Sequence, residues 1–144
     1  MSGELEIDGH AVRPIALGRS DGVINTVVHV PDLATVVSGD VAYNNIHMWL
    51  LRSTPETRGE WLDTLDALAA LRPEKIIVGH KDPDAPDDNA QRILDQSRRY
   101  IEDFDKAAAR SGSMNDLVTR MMEKYATYGN PYTLLVAAAS QFGT

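Results

Sequence analysis

Two hydrophobic rhythms divide the chain. Short β-branched or alternating runs dominate its first part, and apolar positions at helical spacing dominate its second. Residues 4–7 and 11–17 flank Asp8-Gly9, a hairpin signal because both central positions of a type I′ turn need positive φ. Residues 18–22 (GRSDG) read as a loop. Residues 24–30 are β-branched and predict a strand closed by Pro31-Asp32. Residues 34–38 predict a further short strand ending in Gly39-Asp40, and residues 41–52 a longer loop.

A helix follows, with Ser53 as its expected cap, Pro55 in its first turn and Glu56 in the capping-box position. Trp61, Leu65 and Leu68 recur at helical spacing until Pro73 stops the run. Residues 75–78 form a buried strand ending in Gly79-His80. Three helices complete the pattern. The first presents Ile93, Ser97, Tyr100, Phe104 and Ala107 on one face, and the second starts near Ser113 and carries Leu117, Met121 and Tyr125. The third has Asn130 as cap and Pro131 in its first turn, with Leu135, Ala139 and Phe142 as its expected stripe. The reading is one domain over residues 1–144, strand-rich over 1–84 with a helical extension over 85–144.

The strand–helix–strand unit from Ala34 to Val78 predicts two parallel strands joined by a right-handed crossover. Gly39-Asp40 and Gly79-His80 then lie just past the C-terminal ends of neighbouring strands, the edge at which α/β sheets collect ligands. Asp40 and His80 are therefore expected to face a common site.

Composition narrows the chemistry. The 144 residues are 43% hydrophobic and 24% charged, with net charge −7 and dispersed basic residues, which disfavours a nucleic-acid or anionic-membrane partner. No cysteine is present, so any metal must be held by imidazole or carboxylate. The opening MSGELEIDGH has neither the basic front nor the apolar core of a signal peptide, and the longest apolar tract, residues 134–139, is too short for a bilayer. A cytoplasmic location is the expectation.

The stretch NTVVHVPDLATVVSGDVAYNNIHMWL, then a helix, then EKIIVGHKDP resembles the second half of the metallo-β-lactamase superfamily. QSRRYIEDF and the helix ending at Tyr125 are similar to the helical extension of some members. The resemblance implies an α/β fold, half of an αββα sandwich with helices on one face of a mixed sheet. It also implies that Asp40 stands where the family has a metal-bridging carboxylate and His80 where it has a metal-ligating histidine, with zinc as the metal. The bland readings are that Asp40 caps the turn after Gly39 and that His80 bonds a backbone carbonyl.

The departures from the family are equally specific. Its first half carries a His-x-His-x-Asp-His cluster, whereas the histidines here stand isolated at positions 10, 29, 47 and 80. Arg19 occupies the place of a further family histidine in a Gly-His loop. A guanidinium does not ligate metal, so Arg19 either offers positive charge to an anion or pairs with Asp40 or Asp21. His47 is a candidate pocket residue at an apolar loop tip with Met48 and Trp49, and that tip could equally be buried against a second subunit. His10 and His29 read as structural or solvated. Asp82, Asp84, Asp87 and Asp88 read as solvated loop and helix N-terminal residues, with a hard-cation site as the alternative.

Catalytic zinc normally takes three protein ligands plus water, and the pattern offers two, Asp40 and His80. The expected protein is thus a truncated or degenerate superfamily domain, with zinc held weakly or not at all by a single chain and little hydrolysis of its own. A small-molecule ligand is compatible with the pocket. One alternative is a metal-dependent ester, lactam, thioester or phosphoester hydrolase completed by another chain or an N-terminal segment. Another is a structural or partner-binding module. A lone half leaves its inner sheet face bare, with some of Val28, Val36, Val37, Ile76 and Ile77 directed there, so a homodimer through that face is expected. The C-terminal helices folding back over the sheet, or the missing half of a longer protein, would serve the same end.

Overall fold

The computed structural model describes residues 3–143; Met1, Ser2 and Thr144, the ends of the predicted domain, lie outside the described residues. Five strands, β1 (Leu5–Ile7), β2 (His10–Ala16), β3 (Thr26–Val30), β4 (Thr35–Gly39) and β5 (Lys75–Val78), form one sheet in the order β1-β2-β3-β4-β5. The first four run as an antiparallel meander, and β5 joins β4 in parallel. Helix α1 (Pro55–Ala69) is the crossover, followed after β5 by α2 (Ala90–Arg110), α3 (Met114–Lys124) and α4 (Pro131–Gln141).

Local chemistry accounts for most boundaries. Asp8 and Gly9 take φ of 50° and 81°, as the β1–β2 turn requires. The β3 strand begins at Thr26 rather than at residue 24. Asn25 closes the preceding loop by backbone bonds with Leu17 and Gly18, and leaves Val23 and Ile24 exposed. Ala34 is left-handed (φ 45°), which delays β4 by one residue. The cap of α1 is Thr54 rather than Ser53. Thr54 and Thr57 exchange side-chain and backbone hydrogen bonds, with Pro55 first in the helix, so the capping box closes on Thr57 and not on Glu56. Ser53 is occupied elsewhere, donating its hydroxyl to the Leu50 carbonyl at 2.7 Å.

The face of α2 matches its periodicity, burying Ile93, Ser97, Tyr100 and Phe104. Helix α4 does not. It buries Thr133, Leu134, Ala137 and Ala138, while Leu135, expected inside, is 41% exposed. Apolar residues surround α4 on nearly every side, so its own sequence does not select a face. The Thr133 hydroxyl selects it by donating to the His47 carbonyl at 2.7 Å.

The two faces of the sheet differ sharply. Val27, Val36 and Ile76 are fully buried beneath the helices, in a core that continues through Trp61, Phe104 and Leu134. Their strand neighbours Val37 and Ile77 are 40% and 45% exposed on the opposite face, so none of the described helices folds back over it. Of the five candidates for that open face, Val37 and Ile77 lie on it and Val36 and Ile76 belong to the covered one. Period-two alternation puts Val28, Val37 and Ile77 on one row across three strands.

A buried cation ties the helices together. Arg58 on α1 is 1% exposed and stacks over Phe104, 5.2 Å from the ring centroid. Its Nη1 donates to the Ser53 carbonyl at 2.9 Å and to Gln141 of α4 at 3.4 Å, and its Nε donates to Asp105 of α2 at 2.6 Å. Removing this group should cost more than removing its anion, because it also gives up the bonds to Ser53 and Gln141 and the packing on Phe104, whereas an asparagine at position 105 still offers Nε an acceptor. Arg58→Met is expected to lower unfolding free energy by about 3 kcal/mol and Asp105→Asn by about 1 kcal/mol or less, measured by urea denaturation. Equal losses would place the stabilisation in the ion pair alone.

Candidate functional site

Asp40 and His80 project from the ends of β4 and β5, as the crossover topology requires. The Gly79 amide donates to the Gly39 carbonyl at 2.8 Å, holding the two strand ends in register. Gly39 adopts φ 53°, and a Cβ on Gly79 would collide with an Asp40 carboxylate oxygen. Both glycines of the Gly-Asp and Gly-His pairs are thus required by the backbone and by close approach. The His80 Nε2 lies 3.4 Å from Asp40 Oδ1, an ion-pair distance with both side chains partly open to solvent.

The loop after Asp40 is stitched to the loop after His80. The Asn44 amide donates to the His80 carbonyl, the Asp82 amide donates to the Asn44 carbonyl, and the Asn44 side chain donates to the Pro86 carbonyl. Tyr43, almost fully buried, stacks on the His80 ring with centroids 5.5 Å apart and planes 21° from parallel. The Trp61 indole N–H donates to the Val41 carbonyl, pinning the start of the loop to α1.

These elements enclose a cavity of about 320 Å³ lined by Asp21, Asp40, Tyr43, Trp49, His80 and Tyr132 among others. Burial holds the Asp40 carboxyl above its ordinary range; His80 opposes that shift and the Asp21 charge adds to it. A carboxylate pair and an imidazole at one rim suit a cation or a proton-bearing ligand more than an anion.

Of the four residues singled out from the sequence, only Asp40 and His80 are brought together. Arg19 turns away from the cavity and its Nε donates to Glu60 on α1 at 2.5 Å, so it pairs with neither Asp40 nor Asp21 and places no positive charge at their rim. Asp21, two residues on in the same loop, faces the cavity instead; the loop bends at residues 20–24, so no alternation in the sequence marks it. Tyr132 comes from α4, and no local pattern links it to this edge. His10 bonds Asp32 at 2.9 Å on the surface, and Lys81 pairs with Asp87 at 2.9 Å within the acidic loop.

His47, expected to line the pocket, is fully buried behind it. Its Nδ1 shares a hydrogen bond with the Tyr100 hydroxyl at 2.8 Å, and its ring meets Tyr100 and Tyr128 edge-on. The apolar company of Met48 and Leu50 draws this segment into the core, where the predicted loop tip would have kept it at the surface. Its Nε2 is buried without a hydrogen-bond partner.

A zinc ion calls for more donors than the described residues bring together at one point. Among the described residues, no three His, Cys, Asp or Glu side chains converge closely enough to hold one. The acidic loop after His80 makes no such group either. No helix among the described residues is long and apolar enough to cross a membrane.

Solved structures share this architecture. A beta-lactamase domain protein from Burkholderia ambifaria superposes with a TM-score of 0.64 at 15% identity, covering 97% of this chain and 43% of that one. A metallo-beta-lactamase family protein from Thermus thermophilus gives 0.61 at 16% identity, over 97% of this chain and 45% of its own. A metallo-beta-lactamase from Pontibacter korlensis gives 0.54 at 14% identity, over 71% and 46%. No family model matches the sequence, and no curated protein matches it. The chain therefore has the metallo-β-lactamase fold in part, spanning less than half the length of these structures.

The buried imidazole makes stability depend on pH. Burial lowers the His47 pKa from 6.5 to about 4, so the native state holds it neutral. Between those values the unfolded chain binds the extra proton, and stability is lost as pH falls from 6.5 towards 4. The contribution of this one group is about 3 kcal/mol. Thermal melts across that window are expected to show a steeper acid decline for the wild type than for His47→Gln. Parallel declines would assign the acid sensitivity to other groups.

Proposed function

We propose that this chain is a degenerate half-domain of the metallo-β-lactamase fold that works as a homodimer through its open sheet face, with little or no metal-dependent hydrolysis by one chain. The observation that carries this reading is the contrast between the two sides of the same strands. Val36 and Ile76 are 0% exposed, whereas Val37 and Ile77 are 40% and 45% exposed. Leu5 and Ile7 extend the exposed apolar surface at the sheet edge, with exposures of 59% and 58%. Contiguous apolar surface of this kind favours a cover, and a closed two-fold dimer buries the same patch twice. The reading places the dimer in the cytoplasm, where a chain without cysteine has no disulfide to form. A small molecule in the Asp40–His80 cavity suits it better than a nucleic acid, given a net charge of −7.

Light scattering on a size-exclusion column is expected to give twice the chain mass at micromolar concentration. Ile77→Asp should convert the protein to a folded monomer. A wild-type monomer under those conditions rejects the dimer.

The geometry of Asp40 and His80 favours a second reading, a metal-dependent hydrolase of the ester, lactam, thioester or phosphoester type whose donor set is completed by another polypeptide segment. The pair is already held at one rim with Asp21, but supplies two donors where catalytic zinc takes three. Under the first reading, zinc titration of the purified chain shows no tight uptake, and Asp40→Ala and His80→Ala leave folding and self-association unchanged. Stoichiometric tight uptake abolished by either substitution would favour the completed-site hydrolase. Self-association without any cavity ligand would favour a structural or partner-binding module.

A further inference from the structure

Another cavity, of about 360 Å³, opens between α2 and the end of α3 and has a different chemical character. Helix α2 contributes Arg92, Gln96 and Arg99 to it, spaced so that they share one helical face. The last residue of α3, Lys124, and the turn that follows it, with Tyr128, also line the cavity. The carboxylate here, Asp103, is already engaged: it accepts from Lys124 Nζ at 2.6 Å and from the Tyr125 hydroxyl at 2.6 Å. The Asp103–Lys124 pair is neutral as a unit.

The two guanidinium groups are not neutralised in this way. Among the described residues, neither Arg92 nor Arg99 pairs with a carboxylate side chain. Arg92 is held by neutral acceptors, donating to Asn44 Oδ1 at 3.0 Å, to the Pro86 carbonyl at 2.9 Å and to Gln96 Oε1 at 3.2 Å. Those bonds orient its charge and leave it uncancelled. Arg99 uses only its Nε, towards the Asp95 carbonyl at 3.3 Å, so its terminal nitrogens are available. The Tyr128 hydroxyl likewise makes no hydrogen bond among the described residues. Burial pushes the Tyr128 phenol up while Arg99 and Arg92 pull it down, which puts both cations within electrostatic reach of that hydroxyl.

An acidic chain thus keeps two uncompensated cations and a free hydroxyl around one concavity. We propose that this cavity binds the dianionic phosphate of a small phosphomonoester between Arg92 and Arg99, with the Tyr128 hydroxyl donating a third hydrogen bond. A phosphomonoester carries nearly two negative charges at neutral pH, matching two guanidinium groups, and its oxygens suit the unused planar fork of the Arg99 terminal nitrogens. The site is separate from the Asp40–His80 cavity and does not depend on the dimer or on metal.

The test is calorimetric titration at low ionic strength with inorganic phosphate, glycerol 3-phosphate and succinate as probes. Saturable uptake of both phosphates is expected, weakened at least tenfold in Arg99→Gln and in Tyr128→Phe and unchanged in Asp40→Ala. Arg99 is exposed and carries one weak backbone bond, so Arg99→Gln should melt at the wild-type temperature. Arg13→Gln, which removes a charge from β2 where it pairs with Glu4, is the control for net charge. The proposal is overturned by absence of uptake at millimolar phosphate, or by an equal loss in Arg13→Gln. Succinate binding as tightly as phosphate would also overturn it, since the site would then be a carboxylate site.

Discussion

Parallel pairing of β4 with β5 imposes a return journey on the chain, because it must travel back along the sheet before it can run the same way again. Helix α1 makes that journey, and it packs on one side only. Everything else follows from that asymmetry. Val36 and Ile76 receive a roof of helices that Arg58 fastens together at α1, α2 and α4. Val37 and Ile77 receive none. The same pairing puts Asp40 and His80 side by side, since Asp40 directly follows β4 and only Gly79 separates His80 from β5.

The site is rigid on one side and open on the other. Asn44 bonds the loop after Asp40 to the loop after His80, and Ser97 of α2 exchanges hydrogen bonds with the Tyr43 backbone. Tyr43 is therefore fixed as a floor beneath the His80 ring. Tyr132, by contrast, is 62% exposed and reaches the cavity from α4. A donor pair on a rigid floor, with an exposed aromatic at the rim, can accept a ligand without the strands having to move.

What was legible in the sequence is what local chemistry decides. Asp8-Gly9 marks its turn because few residues tolerate positive φ twice in succession, and Gly39-Asp40 and Gly79-His80 mark strand ends for related reasons. The strand–helix–strand order then implies their proximity. Directions chosen by distant partners were not legible. Arg19 follows Glu60, 41 positions away, and leaves the cavity to Asp21. His47 follows Tyr100 into the core, and α4 turns the face that lets Thr133 reach the His47 carbonyl. Each of these contacts joins segments whose separation in sequence carries no periodic signal.

The open face and the donor edge are parts of one geometrical problem. Val37 and Ile77 each precede a donor, Asp40 and His80 respectively, by three residues, about 10 Å along an extended strand. A body packed on Val37 and Ile77 therefore has its own edge within reach of the Asp40–His80 rim. On either proposed reading the face would supply the apolar contact that holds such a body, and the rim would supply two of the donors that a metal needs. On the proposed readings, an inert dimer and a completed hydrolase then differ only in the side chains that the covering body brings to that edge.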